Sequence, residues 1–309
     1  MNYRVKWNNF SSQRRKDTKK KCAFTPLRET MQHIIKSYLK FLFHSKNEHG
    51  VHSPFVFDLV TKCFYDNTKY SEYEVLKSYR KSLLENKNTI EVTDFGAGSR
   101  VFKSNTREIS KIAQTAGITP KNAELLFRIV RYFQPKSVLE IGTSLGLATS
   151  VLSLGNENAK IITLEGCPNT QKQAQVQLQS RSFGTNSNFQ NIEFVNTEFS
   201  TYFKTHHPSP ITHHLIYFDG NHSKKATLNY FEALLPTISN DSVWIFDDIH
   251  WSANMEEAWK IIKNHPKVSV TIDTFQWGIV FFRTEQEKEH FIINPSKTIS
   301  SHLFERIRF

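Results

Sequence analysis

The feature that most constrains the fold of this chain is a regular alternation of apolar runs with helical stretches from Thr119 onward. Each run ends in a polar or charged residue. The runs are SVLEIG (137–142), KIITLEG (160–166), NIEFVN (191–196), HLIYFDG (214–220) and SVWIFDD (242–248). Strands that alternate with helices pair in parallel, because each helix carries the chain back along one face of the sheet. The pattern therefore predicts a parallel sheet with helices on both faces.

Two further β-rich runs close this region, VSVTIDT (268–274) and WGIVFFR (277–283). Only a few residues separate them, which permits a hairpin but no helical crossover between parallel strands. We therefore predict that residues 119–309 form a doubly wound α/β domain. Its sheet should be mostly parallel and seven-stranded, with one antiparallel strand.

The residues before Thr119 follow a different pattern. Apolar residues at helical spacing around Ile34 to Leu42, a Ser53-Pro54 helix start and a stretch from Glu72 to Leu84 predict a helical cap over residues 31–118. Residues 1–30 are polar and basic, and we expect them to form a disordered tail.

The basic tail accounts for most of the charge. Residues 1–24 contain eight lysine or arginine residues and one aspartate, so they carry +7 of the net charge of +11. The body of the chain is nearly balanced, which argues against a nucleic-acid-binding surface on the folded part. The three cysteines form no CxxC pair, and no run of apolar residues is long enough for a transmembrane helix or a secretory signal. These features predict a cytoplasmic protein.

Ligands of doubly wound sheets bind at the carboxyl ends of the strands, so the residues that end each strand are the candidate site. The first strand runs into Glu140-Ile141-Gly142-Thr143-Ser144-Leu145-Gly146, where the glycines permit a tight turn and a close helix start. The second strand ends in Glu165, 23 residues after Gly142. A carboxylate at that spacing can accept both ribose hydroxyls of a nucleoside.

Two adenosine cofactors are compatible with this pattern. A nicotinamide dinucleotide needs GxGxxG to seat its pyrophosphate, whereas Ser144 stands here where the second glycine belongs. S-adenosylmethionine has no phosphate and carries a sulfonium cation, which suits a turn surrounded by Glu140, Asp219 and Asp248. An oxidoreductase with a degenerate glycine turn and a non-catalytic cofactor-binding or interaction module remain as alternatives.

Residues 120–283 resemble the class I S-adenosylmethionine-dependent methyltransferases, and VLEIGTSLG, YFDGNH and FDD resemble the catechol O-methyltransferase-like branch. HGVHSPFVF (49–57) and DFGAGS (94–99) resemble segments of uncharacterised bacterial methyltransferases. The resemblance implies that Glu140, Gly142, Thr143, Ser144, Gly146 and Asp219 surround the methionine and ribose portions of the cofactor. It further implies that Glu165 binds the ribose and that Asn196 and Thr197 edge the adenine.

The same resemblance implies a divalent cation such as Mg²⁺, held by Asp219, Asp247 and Asp248. Two departures stand against it, because Asp248 replaces an asparagine and His222 replaces the basic lysine of that branch. A neutral His222 could take the proton of an acceptor hydroxyl near pH 7. The alternative is that the aspartates contact only cofactor and loop backbone.

The resulting prediction is a methyltransferase acting on an oxygen atom of a small molecule. Strand four ends in DGNH and lacks the (N/D)PP(Y/F) pattern used to grip nucleic-acid amines, which argues against a nucleic-acid acceptor. Asp94 to Ser99 is expected to be a glycine-rich turn. His44, His49 and His52 lack a cysteine or further spaced histidine for zinc, so we expect them to be structural.

Overall fold

The computed structural model describes residues 25–93, 104–179, 189–205 and 213–296. Most of the predicted basic tail and the DFGAGS segment lie outside these residues. The helices are α1 (Thr25–His44), α2 (Pro54–Leu59, continued by a π-helical turn over Val60–Phe64), α3 (Glu72–Glu85), α4 (Ile109–Thr115), α5 (Pro120–Phe133), α6 (Leu147–Gly155), α7 (Pro168–Gln179), α8 (Phe199–Thr205), α9 (Lys224–Leu234) and α10 (Ala253–Asn264). No helix in the described ranges is long and apolar enough to cross a bilayer.

The strands form one large sheet and one ribbon. They are β1 (Thr89–Glu91), β2 (Thr106–Glu108), β3 (Ser137–Ile141), β4 (Lys160–Glu165), β5 (Ile192–Asn196), β6 (Leu215–Phe218), β7 (Val243–Asp247), β8 (Val270–Asp273), β9 (Trp277–Phe281) and β10 (Glu289–Ile292). The large sheet has the order β10-β8-β9-β7-β6-β3-β4-β5. Strands β3 to β7 pair in parallel, and β9 lies antiparallel between β7 and β8.

The α/β fold class predicted from the sequence is confirmed, with all seven predicted strands in place. An eighth strand, β10, adds to the edge beside β8. The predicted cap also contains the antiparallel β1–β2 ribbon in addition to its helices. Both additions are three or four residues long, too short to carry a hydrophobic period of their own, so pairing with a neighbour decides whether they form.

Helix starts follow from local capping. The side chains of Ser53, Thr119, Ser223 and Ser252 each accept a hydrogen bond from a backbone N–H in the first turn of the helix that follows. Proline stands at the first turn of both α2 and α5, where a missing N–H costs nothing. Helix α1 starts at Thr25, earlier than the boundary predicted for the cap.

Two apolar layers cover the sheet. On one face α5 and α6 share a single core with the cap, in which Leu59 of α2 and Tyr79 of α3 are buried together with Val138 of β3. On the other face Phe231 of α9 and Trp259 of α10 pack against the sheet. The cap is also joined through the backbone, since the N–H of Lys46 donates to the carbonyl of Ile292 at 2.8 Å. Helices α2 and α3 of the cap therefore pack on α5 and α6, on one face of the sheet.

Candidate active site

The turn after β3 is fixed by two glycines. Gly142 has a φ of +108°, and a Cβ there would lie 2.5 Å from the carbonyl oxygen of Asp219. Gly146 has a φ of +75° and begins α6 at a point where a Cβ would meet Leu178 and the Tyr79 hydroxyl. Any larger residue would push the turn away from β6 and from the cap. The sequence prediction of a tight glycine turn is therefore matched by its geometry.

Glu165 connects this turn with the end of β4. The backbone N–H of Ser144 donates to one carboxylate oxygen at 2.8 Å, and the N–H of Cys167 donates to the other at 2.9 Å. Ser144 reaches this position with a left-handed φ of +47°. The carboxylate is held by two backbone donors, and carboxylate oxygens have further lone pairs for hydroxyl donors.

Asn196 is the last residue of β5, which lies beside β4, and Thr197 follows it. The Asn196 side-chain amide donates to the carbonyl of Glu165 at 2.8 Å, and the Thr197 N–H donates to the same carbonyl at 3.0 Å. Asn196 is exposed and Thr197 is half-buried. Both residues are therefore close to Glu165, as a ligand extending past β4 and β5 would require.

Glu140 lies inside the sheet and is fully buried. One of its carboxylate oxygens accepts hydrogen bonds from the hydroxyls of Thr149 and Thr163, both at 2.6 Å, and Thr163 also contacts the Thr143 hydroxyl at 2.5 Å. Burial raises the pKa of Glu140 to about 8, although the two threonine hydrogen bonds act in the opposite direction. Its other carboxylate oxygen is buried without a partner among the described residues. Glu140 therefore supports the glycine turn indirectly, through the hydroxyl of Thr163, which contacts Thr143 in the turn.

Asp219 and His222 occupy the turn after β6. The N–H of Asp219 donates to the carbonyl of Ile141 at 2.9 Å, which keeps this turn beside the glycine turn. Asn221 has a left-handed φ of +52° and returns the chain so that His222 Nε2 lies 3.4 Å from Asp219 Oδ1. The structure therefore brings the predicted metal residue Asp219 and the predicted base His222 into contact.

Asp247 ends β7 and Asp248 follows it. Neighbouring residues on an extended strand point to opposite faces, but Asp248 has a left-handed φ of +58°. Both carboxylates therefore reach the amide of Gln276, which donates to Asp247 and, at 3.0 Å, to Asp248. Asp248 also lies 4.0 Å from His222. Gln276 was missed by the sequence analysis because it follows a hairpin strand and has no motif around it.

Three carboxylates control the protonation of His222. Burial by itself lowers its pKa, but the hydrogen bond to Asp219 and the charges of Asp248, Asp219 and Asp247 outweigh this effect and raise the pKa to about 9. His222 is therefore mostly protonated near pH 7, whereas the sequence analysis expected a neutral imidazole. Its positive charge partly balances the aspartates.

The residues that could bind a cation differ in one member from the three aspartates expected from the sequence. Asp219, His222 and Asp247 offer ligand atoms within 4.8 Å of one another, whereas Asp248 lies outside this group. Carboxylates and imidazole are ligand types that divalent cations use in proteins. Among the described residues His44, His49 and His52 join no such group, and all three are exposed surface residues.

A narrow cleft lies above the glycine turn. Its floor contains Gly142, Thr143, Ser144 and Asp219, and its roof comes from α4 and from residues 116–118. The buried hydroxyl of Tyr79 in α3 donates to the carbonyl of Leu145 at 2.6 Å and supports the turn from the cap side. Helical spacing predicts that Tyr79 is buried, but nothing in its neighbourhood along the chain predicts this hydrogen bond.

The fold is a doubly wound α/β sheet with a cleft at the carboxyl edge of its central strands, which is where sheets of this kind bind their ligands. Residues 139–249, a little over a third of the chain, match the family model described as a methyltransferase domain. The match spans β3 to β7 and includes the glycine turn, Glu165, Asp219 and Asp248. No curated protein matches the chain.

Solved structures with a similar fold include methyltransferases. An O-methyltransferase from Bacillus cereus in complex with SAH is 16% identical, with a TM-score of 0.46, over 70% of this chain and 93% of that one. The SAH-bound methyltransferase PaMTH1 from Podospora anserina is 13% identical, with a TM-score of 0.49, over 75% of this chain and 97% of that one. The O-methyltransferase TomG from Streptomyces achromogenes, in complex with SAM, is 15% identical, with a TM-score of 0.45, over 54% and 82%. At such identities and scores these similarities say nothing about the reaction of this chain.

Proposed function

We propose that this protein transfers the methyl group of S-adenosylmethionine to an oxygen atom of a small molecule. The observation that carries the proposal is the cleft above the glycine turn, whose floor contains Asp219 and whose turn is tied to Glu165. The methyltransferase family match over residues 139–249 supports the same cofactor. The serine in place of the second glycine favours a ligand without a pyrophosphate.

The residues in and around the cleft have separable roles in binding the cofactor. The Glu165 carboxylate accepts the ribose hydroxyls, and Asn196 and Thr197 lie where the adenine would extend. The backbone of Gly142 to Gly146 and the Asp219 carboxylate surround the methionine portion. Glu140 is a positioning residue, because it is fully buried and acts through Thr163 and Thr143.

S-adenosylmethionine supplies a methyl carbon activated by its bond to a sulfonium. The acceptor oxygen forms a bond to this carbon while the carbon–sulfur bond breaks and leaves its electron pair on sulfur. His222 is placed to receive the hydroxyl proton, provided that a second positive charge nearby lowers its pKa towards neutrality. Alignment of the two reacting atoms supplies most of the rate enhancement.

A divalent cation is a second way to balance the negative charge of the aspartates. Asp219, His222 and Asp247 would hold it, and it would acidify and orient an acceptor hydroxyl. The cation and the proton of His222 compete for the same carboxylates, and the Gln276 amide already donates to Asp247 and Asp248. Turnover that survives EDTA and the Asp247→Asn substitution would exclude a required cation.

Calorimetry on the purified protein tests the cofactor directly. We expect S-adenosylmethionine and S-adenosylhomocysteine to bind with micromolar Kd values and NADH to give no heat. Binding of NADH alone would point to the oxidoreductase alternative. Binding of S-adenosylhomocysteine without any labelled methyl product across a library of hydroxylated metabolites would favour a non-catalytic binding module.

A further inference from the structure

Helix α1 has two apolar faces, and the rest of the described chain covers only one of them. On the covered face, Tyr38 and Phe41 are buried against Phe275, which lies in the turn between β8 and β9. On the other face, Leu39 is 59% exposed and Phe43 is 87% exposed. These two are the most exposed large apolar side chains among the described residues. The helix therefore keeps part of its apolar surface in contact with water.

The exposed apolar side chains form a line along α1. Ile35, Leu39 and Phe43 are four positions apart, and residues at this spacing lie one above the other on the same side of an α-helix. Ile35, at the start of the line, is half-buried. We call these three residues the apolar stripe. Single exposed apolar residues are common on protein surfaces, whereas a contiguous set of them is typical of a docking surface.

Lysine residues border the apolar stripe. Lys36 and Lys40 are exposed, and neither forms an ion pair with another described residue. Residues 30–47 contain three lysines and no acidic residue, so the positive charge of this part of the chain is not balanced locally. Residues 1–24, which directly precede the helix, contribute a further +7. The stripe therefore lies in a strongly basic part of the chain.

An apolar stripe with unbalanced positive charge beside it is complementary to the surface of an anionic lipid bilayer. A helix at such a surface places its apolar side chains between the headgroups and the acyl chains, while its lysines contact the anionic headgroups. A second copy of this chain fits less well, because facing stripes would bring Lys36 and Lys40 of both copies together without an acidic partner. RNA would attract the lysines but would offer no apolar environment to Ile35 and Leu39.

We propose that α1 docks this protein on the surface of an anionic phospholipid membrane. The apolar stripe enters the boundary between headgroups and acyl chains, and Lys36, Lys40 and the basic residues of 1–24 contact the headgroups. Because Tyr38 and Phe41 remain packed on Phe275, the helix lies on the membrane without leaving the fold. This inference does not depend on the proposed methyl transfer.

The test is sedimentation of the full chain with lipid vesicles. We expect the protein to bind vesicles made of equal parts of phosphatidylserine and phosphatidylcholine, and not vesicles of phosphatidylcholine alone. Binding should weaken as the salt concentration rises, because salt screens the attraction between the lysines and the headgroups.

A double variant, Leu39→Ser with Phe43→Ser, tests the apolar stripe. It should weaken binding to the anionic vesicles roughly tenfold or more, because two large apolar side chains no longer leave water. Both positions are exposed, so the fold does not depend on them. Val176→Ser is the matched control, since Val176 is 57% exposed on α7 and should not contact the membrane.

A second double variant, Lys36→Gln with Lys40→Gln, tests the charge. It should weaken binding roughly tenfold to thirtyfold, because each basic residue near an anionic surface strengthens binding about fivefold. Lys77→Gln with Lys81→Gln is the control, since these two exposed lysines have the same spacing on α3 and should leave binding unchanged.

Failure of the wild type to bind the anionic vesicles would overturn the proposal, as would equal binding by the wild type and the Leu39/Phe43 variant. Light scattering tests the second copy as occupant. A wild-type dimer that the Leu39/Phe43 variant converts to a monomer would assign the stripe to self-association instead. Binding of single-stranded RNA that requires the two lysines, without any binding of vesicles, would assign the basic residues to nucleic acid.

Discussion

At the scale of single residues, the candidate site depends on backbone positions that few side chains tolerate. Gly142 must lack a Cβ because the turn touches the carbonyl of Asp219, and Ser144 and Asp248 both adopt left-handed conformations. These positions aim the N–H of Ser144 at Glu165 and turn the Asp248 carboxylate towards His222. Substitution of one such residue should therefore affect ligand binding and local stability in distinguishable ways.

Glu165→Ala should weaken S-adenosylhomocysteine binding roughly tenfold to hundredfold, because a charge-assisted hydrogen bond contributes about 1.5–3 kcal/mol. Isothermal calorimetry measures the change. Glu193→Ala is the matched control, since Glu193 is exposed on β5 and pairs only with Lys160 at 3.0 Å among the described contacts. An unchanged Kd in Glu165→Ala would show that the ribose does not bind at the end of β4.

Gly142→Ala should destabilise the protein by about 1–3 kcal/mol, because alanine is strained at a φ of +108° and its Cβ would lie 2.5 Å from a backbone oxygen. Thermal unfolding measures the loss. Gly50→Ala makes a suitable comparison, since its added Cβ would meet only the side chain of Lys46, which can move. If the two variants melted at the same temperature, the tight turn would be misplaced.

At the scale of elements, α1 is held to the rest of the chain by charged and aromatic contacts together. Glu256 of α10 lies 2.8 Å from His250 and 3.7 Å from His33 of α1. Tyr38 and Phe41 of the same helix pack on Phe275, which is stacked on His250. Docking of α1 therefore depends on the protonation of this cluster.

The contribution of His250 to stability should depend on pH. Burial lowers its pKa, but Asp273 and Glu256 outweigh this effect and raise the pKa from 6.5 to about 9. Burial raises the pKa of Glu256, but the hydrogen bonds from His250 and Ser37 and the charges of His250 and His33 lower it from 4.5 to about 2. A raised histidine pKa stabilises the fold below pH 6.5 and ceases to do so as the pH passes 9, whereas a lowered glutamate pKa stabilises above pH 4.5 and is lost towards pH 2.

Both contributions are therefore present in full between pH 4.5 and 6.5. The difference in Tm between wild type and His250→Gln should be largest in that window and should shrink as the pH rises through 9. His44→Gln, at an exposed position of α1, should show no such profile. A difference that stayed constant from pH 5 to 10 would mean that His250 acts by packing alone.

At the scale of the whole molecule, the cap and the sheet together form the cleft above the glycine turn. Residues of α4 line the cleft above the glycine turn, and residues of the cap share one core with α5 and α6. The Tyr79 hydroxyl extends this contact to the glycine turn through the carbonyl of Leu145. The cap therefore shapes the ligand site as well as shielding the core.

Tyr79→Phe should lower both stability, by about 1–2 kcal/mol, and the affinity for S-adenosylhomocysteine, because it leaves the Leu145 carbonyl unpaired beside the turn. Tyr70→Phe removes a hydroxyl that bonds to Asp66 inside the cap at 2.7 Å and should leave cofactor affinity unchanged. Thermal unfolding and calorimetry on both variants check this. Equal cofactor affinities would mean that the cap supports the fold without influencing the turn.

The sequence by itself determined the elements whose signals are local. Apolar runs of five or six residues specify β3, β4 and β7 wherever they pair, and Thr119-Pro120 caps α5 through its own first turn. Because parallel strands place their carboxyl ends at one edge, the meeting of the glycine turn, Glu165 and Asp219 also followed from order along the chain.

Only the tertiary structure decided which distant groups complete the site. Gln276 donates to two aspartates nearly thirty positions away, and Tyr79 reaches a carbonyl 66 positions away. The pKa of His222 depends on charges that two separate turns, after β6 and after β7, bring together. Strands of three or four residues, such as β1 and β10, form only because a partner satisfies their backbone groups. Such contacts leave no periodic trace in the sequence, since their energy depends on distance in space and not on spacing along the chain.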